Sequence, residues 1–289
     1  MGRKCKIGEA LTRLANCISF GVMSVSYVER PGGRVAYEVH GDGPLVVLSH
    51  GMGENRGSFR HLVPLLVAAG YRVATVDVRG HGDSSAGWPT YAPAEVGADL
   101  LAVVRDLGGG PAVLVGSSSS AAAVVFAAAD APELVAGIVP VGAFVDQVKP
   151  NPVMRVAQAL VLRSPRLFGM FHKTLFPVTR PADDAAYRRS MVATLREPGR
   201  MAAVRGVVAP VGPHWTARAA EVRQPVLVLM GARDPDFRDP GAEARAARRL
   251  FATAEARMID DSGHYPHADQ PERTAEQLTA FLKVVHTDA

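Results

Sequence analysis

Val113-Leu114-Val115-Gly116-Ser117-Ser118-Ser119-Ser120-Ala121-Ala122 decides the reading of this chain: a β-branched apolar run breaks into small residues and then becomes an alanine-rich helix. A serine displayed on a sharp strand-to-helix turn needs small residues two places before and after it, because larger side chains would strike the neighbouring strand and helix. Centred on Ser118, that frame reads Gly116-Ser117-Ser118-Ser119-Ser120. Ser117 would put Val115 where a small residue is required. Ser119 and Ser120 also have small neighbours, but only Ser118 sets a glycine before the turn and leaves a strand of about five residues. Such a turn aims a helix N-terminus at the serine, where free N–H groups and the helix dipole favour negative charge.

On either side of this turn, β-branched runs alternate with helical stretches, the pattern of a mostly parallel sheet with helices on both faces. Eight strands are predicted, at 24–30, 34–40, 44–49, 72–78, 111–116, 135–142, 225–231 and 255–260. Helices are predicted over 58–69, 92–107, 119–129, 240–252 and 271–286. The first two strands, joined through Pro31-Gly32-Gly33, read as a hairpin at an antiparallel edge. Leu45–Leu48 and Val226–Met230 are continuously apolar, as strands covered on both faces should be.

Residues 146–222 break the alternation: helix-like pieces are separated by Pro150, Pro152, Pro165, Pro177, Pro181, Pro198, Pro210 and Pro213. A helical cap inserted into a core of 24–145 and 223–289 is expected. Its apolar residues, among them Met154, Leu160, Leu162, Leu167, Phe168, Met170, Phe171, Phe176, Met191 and Leu195, mostly pack helices together, while a few roof an apolar substrate pocket. Candidate pocket residues are His50, Phe144, Phe168, Phe171 and Tyr265.

A chain of 289 residues with 48% hydrophobic and 21% charged residues is long enough for a large core and too apolar for a disordered chain. The uncharged stretch 107–129 is better explained by strand, turn and helix than by a membrane span, since Gly108 to Pro111 and four serines divide it. Residues 1–23 read as an amphipathic segment rather than a leader, because Glu9 and Arg13 interrupt its apolar residues. Cys5 and Cys17, about 18 Å apart on one helix, could not bridge there, and a cytoplasmic location is expected. The 27 Arg against 5 Lys fit a GC-rich bacterial source.

Net charge is +4 with no basic run or recognition motif, so nucleic acid is not expected as a partner. From Asp146 to Glu221, however, twelve Lys and Arg face five Asp and Glu, a net of +7 that leaves −3 for the rest. Solvated helix faces are the plain explanation, and attraction of an anionic or carrier-bound acyl substrate the sharper one.

A serine hydroxyl needs a base to take its proton, and the base needs a third group to orient it. The strand Pro225–Met230 runs into Gly231-Ala232-Arg233-Asp234-Pro235, and Ala256–Asp260 runs into Asp261-Ser262-Gly263-His264-Tyr265-Pro266. Asp234 and His264 therefore fall in loops at strand carboxyl ends, where open α/β sheets bind ligands and where Ser118 also sits. Asp236 and Asp239 are alternatives to Asp234. His264, His267 and Asp269 have metal-ligand character, but no fourth ligand is spaced to complete a site, so neither metal nor cofactor is expected. Ser49-His50-Gly51-Met52-Gly53 follows another strand, making the backbone N–H groups of Met52 and Ser119 the candidate oxyanion donors. The turn Asp77-Val78-Arg79-Gly80-His81-Gly82-Asp83-Ser84 is expected to buttress the site.

With these elements in place, the chain resembles the α/β-hydrolase superfamily from about residue 24 onward, in its lid-bearing branch. The resemblance is carried by His50-Gly51-Met52-Gly53, Asp77-x-Arg79-Gly80-His81-Gly82-x-Ser84, the turn at Ser118, Gly231-x-x-Asp234-Pro235, Gly263-His264, and the order Ser, Asp, His. It departs from the family at Ser117, often histidine or asparagine, and at Ser120, where glycine is preferred. A serine rather than an aspartate nucleophile sets it apart from epoxide hydrolases and haloalkane dehalogenases. The resemblance implies a cofactor-independent serine hydrolase acting on an ester, lactone or thioester of a mainly apolar small molecule. A non-hydrolytic enzyme of the same fold (acyl transfer, C–C cleavage, perhydrolysis) and a ligand receptor with a silent triad are the competing readings.

Overall fold

Alternate residues of the central apolar runs point to opposite faces of a sheet, and each face is covered. The computed structural model describes residues 24–108, 110–145, 151–208 and 214–287. The strands are β1 (Ser26–Arg30), β2 (Gly33–His40), β3 (Leu45–Ser49), β4 (Arg72–Val76), β5 (Ala112–Ser117), β6 (Val135–Val141), β7 (Val226–Gly231) and β8 (Ala254–Ile259). In β3 and β5, Leu45, Val47, Ala112 and Leu114 join one core cluster, whereas Val46, Leu48, Val113 and Val115 join the cluster on the other face. Burial on both faces is why these segments read as unbroken apolar runs.

The eight strands form one sheet in the order β1-β2-β4-β3-β5-β6-β7-β8. β2 pairs antiparallel with both β1 and β4, and every other pairing is parallel, so β2 alone runs against the rest. Helices of the sheet layers are α1 (Val63–Ala68), α2 (Pro93–Asp106), α3 (Ser119–Asp130), α9 (Pro240–Arg249), α10 (Pro266–Asp269) and α11 (Pro271–Thr287). Residues of α2, α3 and α9 fill the first cluster, and residues of α1 and α11 fill the second. None of the helices in the described residues is long and apolar enough to cross a membrane.

Between β6 and β7 lie α4 (Pro152–Val161), α5 (Pro165–Thr174), α6 (Asp184–Leu195), α7 (Arg200–Val208) and α8 (His214–Ala219). Two of the prolines that interrupt this region open helices instead of breaking them. Asn151 Oδ1 caps the Met154 N–H at 2.9 Å and Ser164 Oγ caps the Leu167 N–H at 3.3 Å, each followed by a proline that needs no N–H partner in a first turn. The inserted helices share a small core of Phe168, Met191, Leu195 and Val204, onto which Met52 of the sheet layer packs.

Two boundaries depart from expectation. The helix predicted over 58–69 is a 3-10 turn, Arg56–Phe59, followed by the short α1. Asn55 Oδ1 and Asp77 Oδ1 hold the N–H groups of Gly57 and Arg56, and Pro64 falls in the first turn of α1. One turn, α10, precedes α11 where only the longer helix was expected, with Pro271 restarting the ladder. The segment 1–23, with Cys5 and Cys17, lies outside the described residues, as do 146–150 and 209–213 of the expected cap.

Candidate active site

Ser118 is the hinge between β5 and α3. Its backbone sits at φ 54°, ψ −114°, and its N–H donates to the Val141 carbonyl at 2.7 Å. A non-glycine residue at positive φ is costly and persists only where its surroundings enforce it. Gly116 is part of that enforcement, since a Cβ there would come within 2.2 Å of the Ser120 carbonyl oxygen. Ser120, standing where the family prefers glycine, is accommodated by hydrogen bonds. Its Oγ donates to the His50 carbonyl at 2.6 Å and accepts from Ser49 Oγ at 2.9 Å, tying the turn to the end of β3. Ser117 is buried, and its Oγ has no hydrogen-bond partner among the described residues.

The loops after β7 and β8 bring the other two residues to this point. A Cβ on Gly231 would lie 1.9 Å from the Gly263 carbonyl oxygen, so only glycine lets the two loops pass at this distance. Asp234 Oδ2 is 2.6 Å from His264 Nδ1, and His264 Nε2 is 2.8 Å from Ser118 Oγ. Asp234 and His264 are buried, while Ser118 is partly open. With the proton on Nδ1, Nε2 is free to accept from the serine hydroxyl. Burial alone would depress the His264 pKa, but the charge and hydrogen bond of Asp234, then the charges of Asp236 and Glu54, outweigh it and hold it up at about 9.

Further groups fix this loop. Asp269 accepts from Ser262 Oγ and from the Gly263 N–H, both at 2.7 Å, and its pKa is raised to about 6 by burial. The His264 N–H donates to the Leu175 carbonyl at 3.0 Å, so the inserted region touches the histidine loop through backbone. A Cβ on Gly263 would strike that carbonyl at 2.1 Å.

The Gly51–Glu54 turn faces Ser118 from β3: a Cβ on Gly51 would come within 3.1 Å of both Ser118 Cβ and the Tyr265 hydroxyl. The Met52 N–H has no acceptor among the described residues, and the Ser119 N–H, at the first position of α3, has none within its helix. Among the pocket candidates, Phe144 is half-buried with its ring 5.7 Å from that of His264. Tyr265 is buried against His264, His172 and Phe176. Phe168 and Phe171 meet edge to face at 6.0 Å, and Phe168 lies over Gly53. His50 is fully buried: Nε2 accepts from the Val78 N–H at 3.0 Å and Nδ1 is 2.7 Å from the Gly51 carbonyl, leaving neither nitrogen for a ligand.

Of the further residues around Ser118, Asp234 and His264, Phe237, Glu54, Ser58 and His172 carry no local sequence signal. The Phe237 ring lies 4.7 Å from that of Phe144, tilted by 44°, and Asp236 Oδ2 lies 3.8 Å from His264 Nε2. Asp234, Asp236 and His264 could be taken together as cation ligands, but the Nδ1 of His264 is already engaged with Asp234 at hydrogen-bond distance. Glu54, buried, accepts from Ser58 Oγ at 3.1 Å and lies 3.1 Å from His172 Nε2, while Ser58 Oγ is 2.8 Å from His267 Nε2. That chain runs from the inserted helix α5 to the segment after His264. The Asp77–Ser84 turn is tied down by Asp77, which accepts from the N–H groups of Arg56 at 2.7 Å and Asp83 at 2.8 Å and pairs with the Arg56 guanidinium.

Comparison with known proteins agrees with this architecture. The chain is 26% identical over 259 residues to the sn-1-specific diacylglycerol lipase ABHD11 of Mus musculus, covering 83% of this chain and 81% of that protein. It is 26% identical over 265 residues to 2-(acetamidomethylene)succinate hydrolase of Mesorhizobium japonicum, covering 86% and 92%. A shorter match, 43% over 76 residues, covers 26% of this chain and 21% of epoxide hydrolase B of Mycobacterium tuberculosis. Among solved structures, a bromoperoxidase from Bacillus anthracis superposes with TM-score 0.77 at 21% identity, over 90% of this chain and 100% of that one. A thermophilic esterase from Thermogutta terrifontis gives 0.75 at 24%, over 91% and 99%, and at these identities both establish the fold alone. The model of the alpha/beta hydrolase family matches residues 46–277, and the chain is an enzyme belonging to that family.

Proposed function

We propose that this enzyme is a serine hydrolase that cleaves an ester, lactone or thioester of a mainly apolar small molecule, with Ser118 as nucleophile, His264 as general base and acid, and Asp234 as the group that orients the imidazole. The observation that carries this reading is the continuous contact Asp234 Oδ2–His264 Nδ1–His264 Nε2–Ser118 Oγ, at 2.6 and 2.8 Å across the ring. As Ser118 Oγ attacks the acyl carbon, its proton passes to His264 Nε2, and the buried Asp234 carboxylate stabilises the imidazolium. The Met52 and Ser119 N–H groups are the donors for the oxyanion, aided by the N-terminus of α3. His264 then gives its proton to the leaving group, and water, deprotonated by the same nitrogen, releases the acyl group from Ser118. The inserted helices act as a cap in this reading, with Phe144, Phe168, Phe171 and Tyr265 the candidate apolar walls.

A panel of esters, lactones and thioesters, run on the wild type and a folded Ser118→Ala protein, tests the proposal. The substitution should lower turnover about 10³-fold or more and abolish labelling by a fluorophosphonate. Activity retained in the folded variant would overturn it.

A further inference from the structure

Among the described residues, the helix α4 packs on the rest of the protein near its C-terminal end. Val161 and Leu162 pack on the Phe168–Met191–Leu195–Val204 cluster, whereas none of the ten residues of the helix is fully buried. Its apolar residues nevertheless fall at i, i+3, i+4 and i+7: Val153 is 78% exposed, Val156 62% and Leu160 56%, with Ala157 between them. Met154 is 55% exposed, and on α5 Met170 is 67% and Leu167 37% exposed. A helix with this spacing ordinarily hides its apolar stripe against a core. Here the stripe faces outward, and large apolar patches on a surface mark a contact with another phase or molecule.

Charge identifies the contact. Residues 151–174 contain Arg155, Arg163, Arg166 and Lys173 and no Asp or Glu. All four cations are exposed, and none forms an ion pair with a carboxylate among the described residues. By contrast, Arg60 of the sheet layer and Arg188 of α6 are paired with Asp183 and Asp184. Outward apolar side chains on α4 and α5, with cations unpaired among the described residues on the same two helices and the turn between them, suit the boundary of a bilayer with anionic headgroups, where both parts find partners at once. A protein surface could cover the apolar stripe but would need its own carboxylates opposite four separate cations.

We infer that α4 and the exposed face of α5 dock this enzyme on anionic lipid surfaces, Val153, Val156, Leu160 and Met170 entering the acyl boundary while Arg155, Arg163, Arg166 and Lys173 contact the headgroups. The inference stands apart from the assignment of Ser118, because its measurement is binding and not turnover.

Sedimentation with vesicles of phosphatidylcholine alone, and of phosphatidylcholine mixed with phosphatidylglycerol, tests it on the full chain. The wild type should partition at least about tenfold more strongly onto the mixed vesicles, and added salt should weaken that preference. A Val156→Asp/Leu160→Asp protein should lose about tenfold or more in partitioning, and an Arg155→Glu/Arg166→Glu protein should lose the preference for phosphatidylglycerol. Both should keep the wild-type circular dichroism and thermal midpoint, since the replaced side chains are exposed and none is part of a core cluster among the described residues. Absence of wild-type partitioning, or partitioning unaltered in Val156→Asp/Leu160→Asp, overturns the inference. So does a wild-type dimer in light scattering that becomes a monomer in Val156→Asp/Leu160→Asp, which would assign the face to a second copy of the chain.

Discussion

Asp236 Oδ2 lies 3.8 Å from His264 Nε2, the ring nitrogen that also contacts Ser118 Oγ. A second carboxylate thus stands beside Asp234 at the imidazole, with carboxylate oxygens of the two within 4.8 Å of each other. Its charge and that of Glu54 add to the stronger effect of Asp234 in favouring the imidazolium. A base must be neutral to accept a proton, so in the proposed mechanism kcat/KM of the wild type should rise through neutrality toward about pH 9. Asp236→Asn removes one of these anions and leaves Asp234 and Glu54 in place; the nearby His267, held down to about 4 by burial, stays neutral across this range. The acid limb should therefore move down by about one unit, with little change in the plateau. A pH–rate profile of the two proteins on an uncharged ester measures this, and coincident limbs would separate Asp236 from the titration of His264.

Stability should respond to pH in both directions from a maximum near 6.5. His81 and His267 are pushed down by burial, to about 3 and about 4. Below about pH 6.5 the unfolded chain binds protons that these folded histidines refuse, and each removes about 1.4 kcal/mol per pH unit until its folded value is reached. Asp269, raised to about 6 by burial, works in the opposite sense between about pH 4 and 6 and cancels one of the two. His264 has the reverse sign to the other histidines: its raised pKa contributes stability that is complete below about pH 6.5 and is lost as pH rises through about 9. Urea unfolding should show a loss on the order of 2 kcal/mol between pH 6.5 and 5, and an alkaline decline that His264→Gln abolishes. A profile flat from pH 5 to 9 would contradict the linkage.

Gly53 adopts φ 74°, and a Cβ there would lie 2.2 Å from the Phe168 ring. Alanine at this position meets both backbone strain and the inserted helices. Gly53→Ala should cost about 2–4 kcal/mol and displace the neighbouring Met52 N–H, lowering kcat more than it raises KM. In the Gly53→Ala/Phe168→Ala double variant the clash is gone and only the strain remains, so the stability losses should be less than additive. Strict additivity would mean that the two residues do not press on each other.

These contacts mark where the sequence is legible and where it is not. Leu45–Leu48 and Val226–Met230 show their strands because both faces are buried, and Asp234 shows its place because it follows such a strand, whereas His264 follows the mostly exposed edge strand β8 and is marked by its Gly263-His264 pair. Gly116, Gly231 and Gly263 stand where backbones approach too closely for any Cβ, which local spacing registers as motif. The chain Glu54–Ser58–His267 with His172, and the pair Phe144–Phe237, join residues with no common spacing and emerge only when the segments fold together. Met154, Leu160 and Met170 illustrate the complementary limit. Helical periodicity shows that α4 has an apolar face, but whether anything covers that face is decided elsewhere in the molecule.

The Asp77–Ser84 turn yields the sharpest test of what holds the site in place. Arg79, nearly buried, donates to Asp99 through Nε at 2.7 Å and Nη2 at 2.8 Å, and it also reaches the carbonyls of Thr90 and Glu95. Arg30 adds a third contact to the same carboxylate at 2.9 Å, joining β1 to α2. A buried ion pair gains little over a well-packed apolar pair, but removing one partner strands the other charge without water. Asp99→Ala should therefore cost about 3–5 kcal/mol, while Arg79→Met/Asp99→Leu, which removes both charges and retains bulk, should recover much of that loss. The turn that carries Arg79 also holds Asp77 against Arg56 beside the Glu54 loop, so Asp99→Ala should lower kcat/KM as well. Thermal unfolding and ester turnover, measured on both variants, decide the matter: an Asp99→Ala protein as stable as the wild type would mean that Arg79 finds water or another carboxylate and that the turn does not depend on this pair.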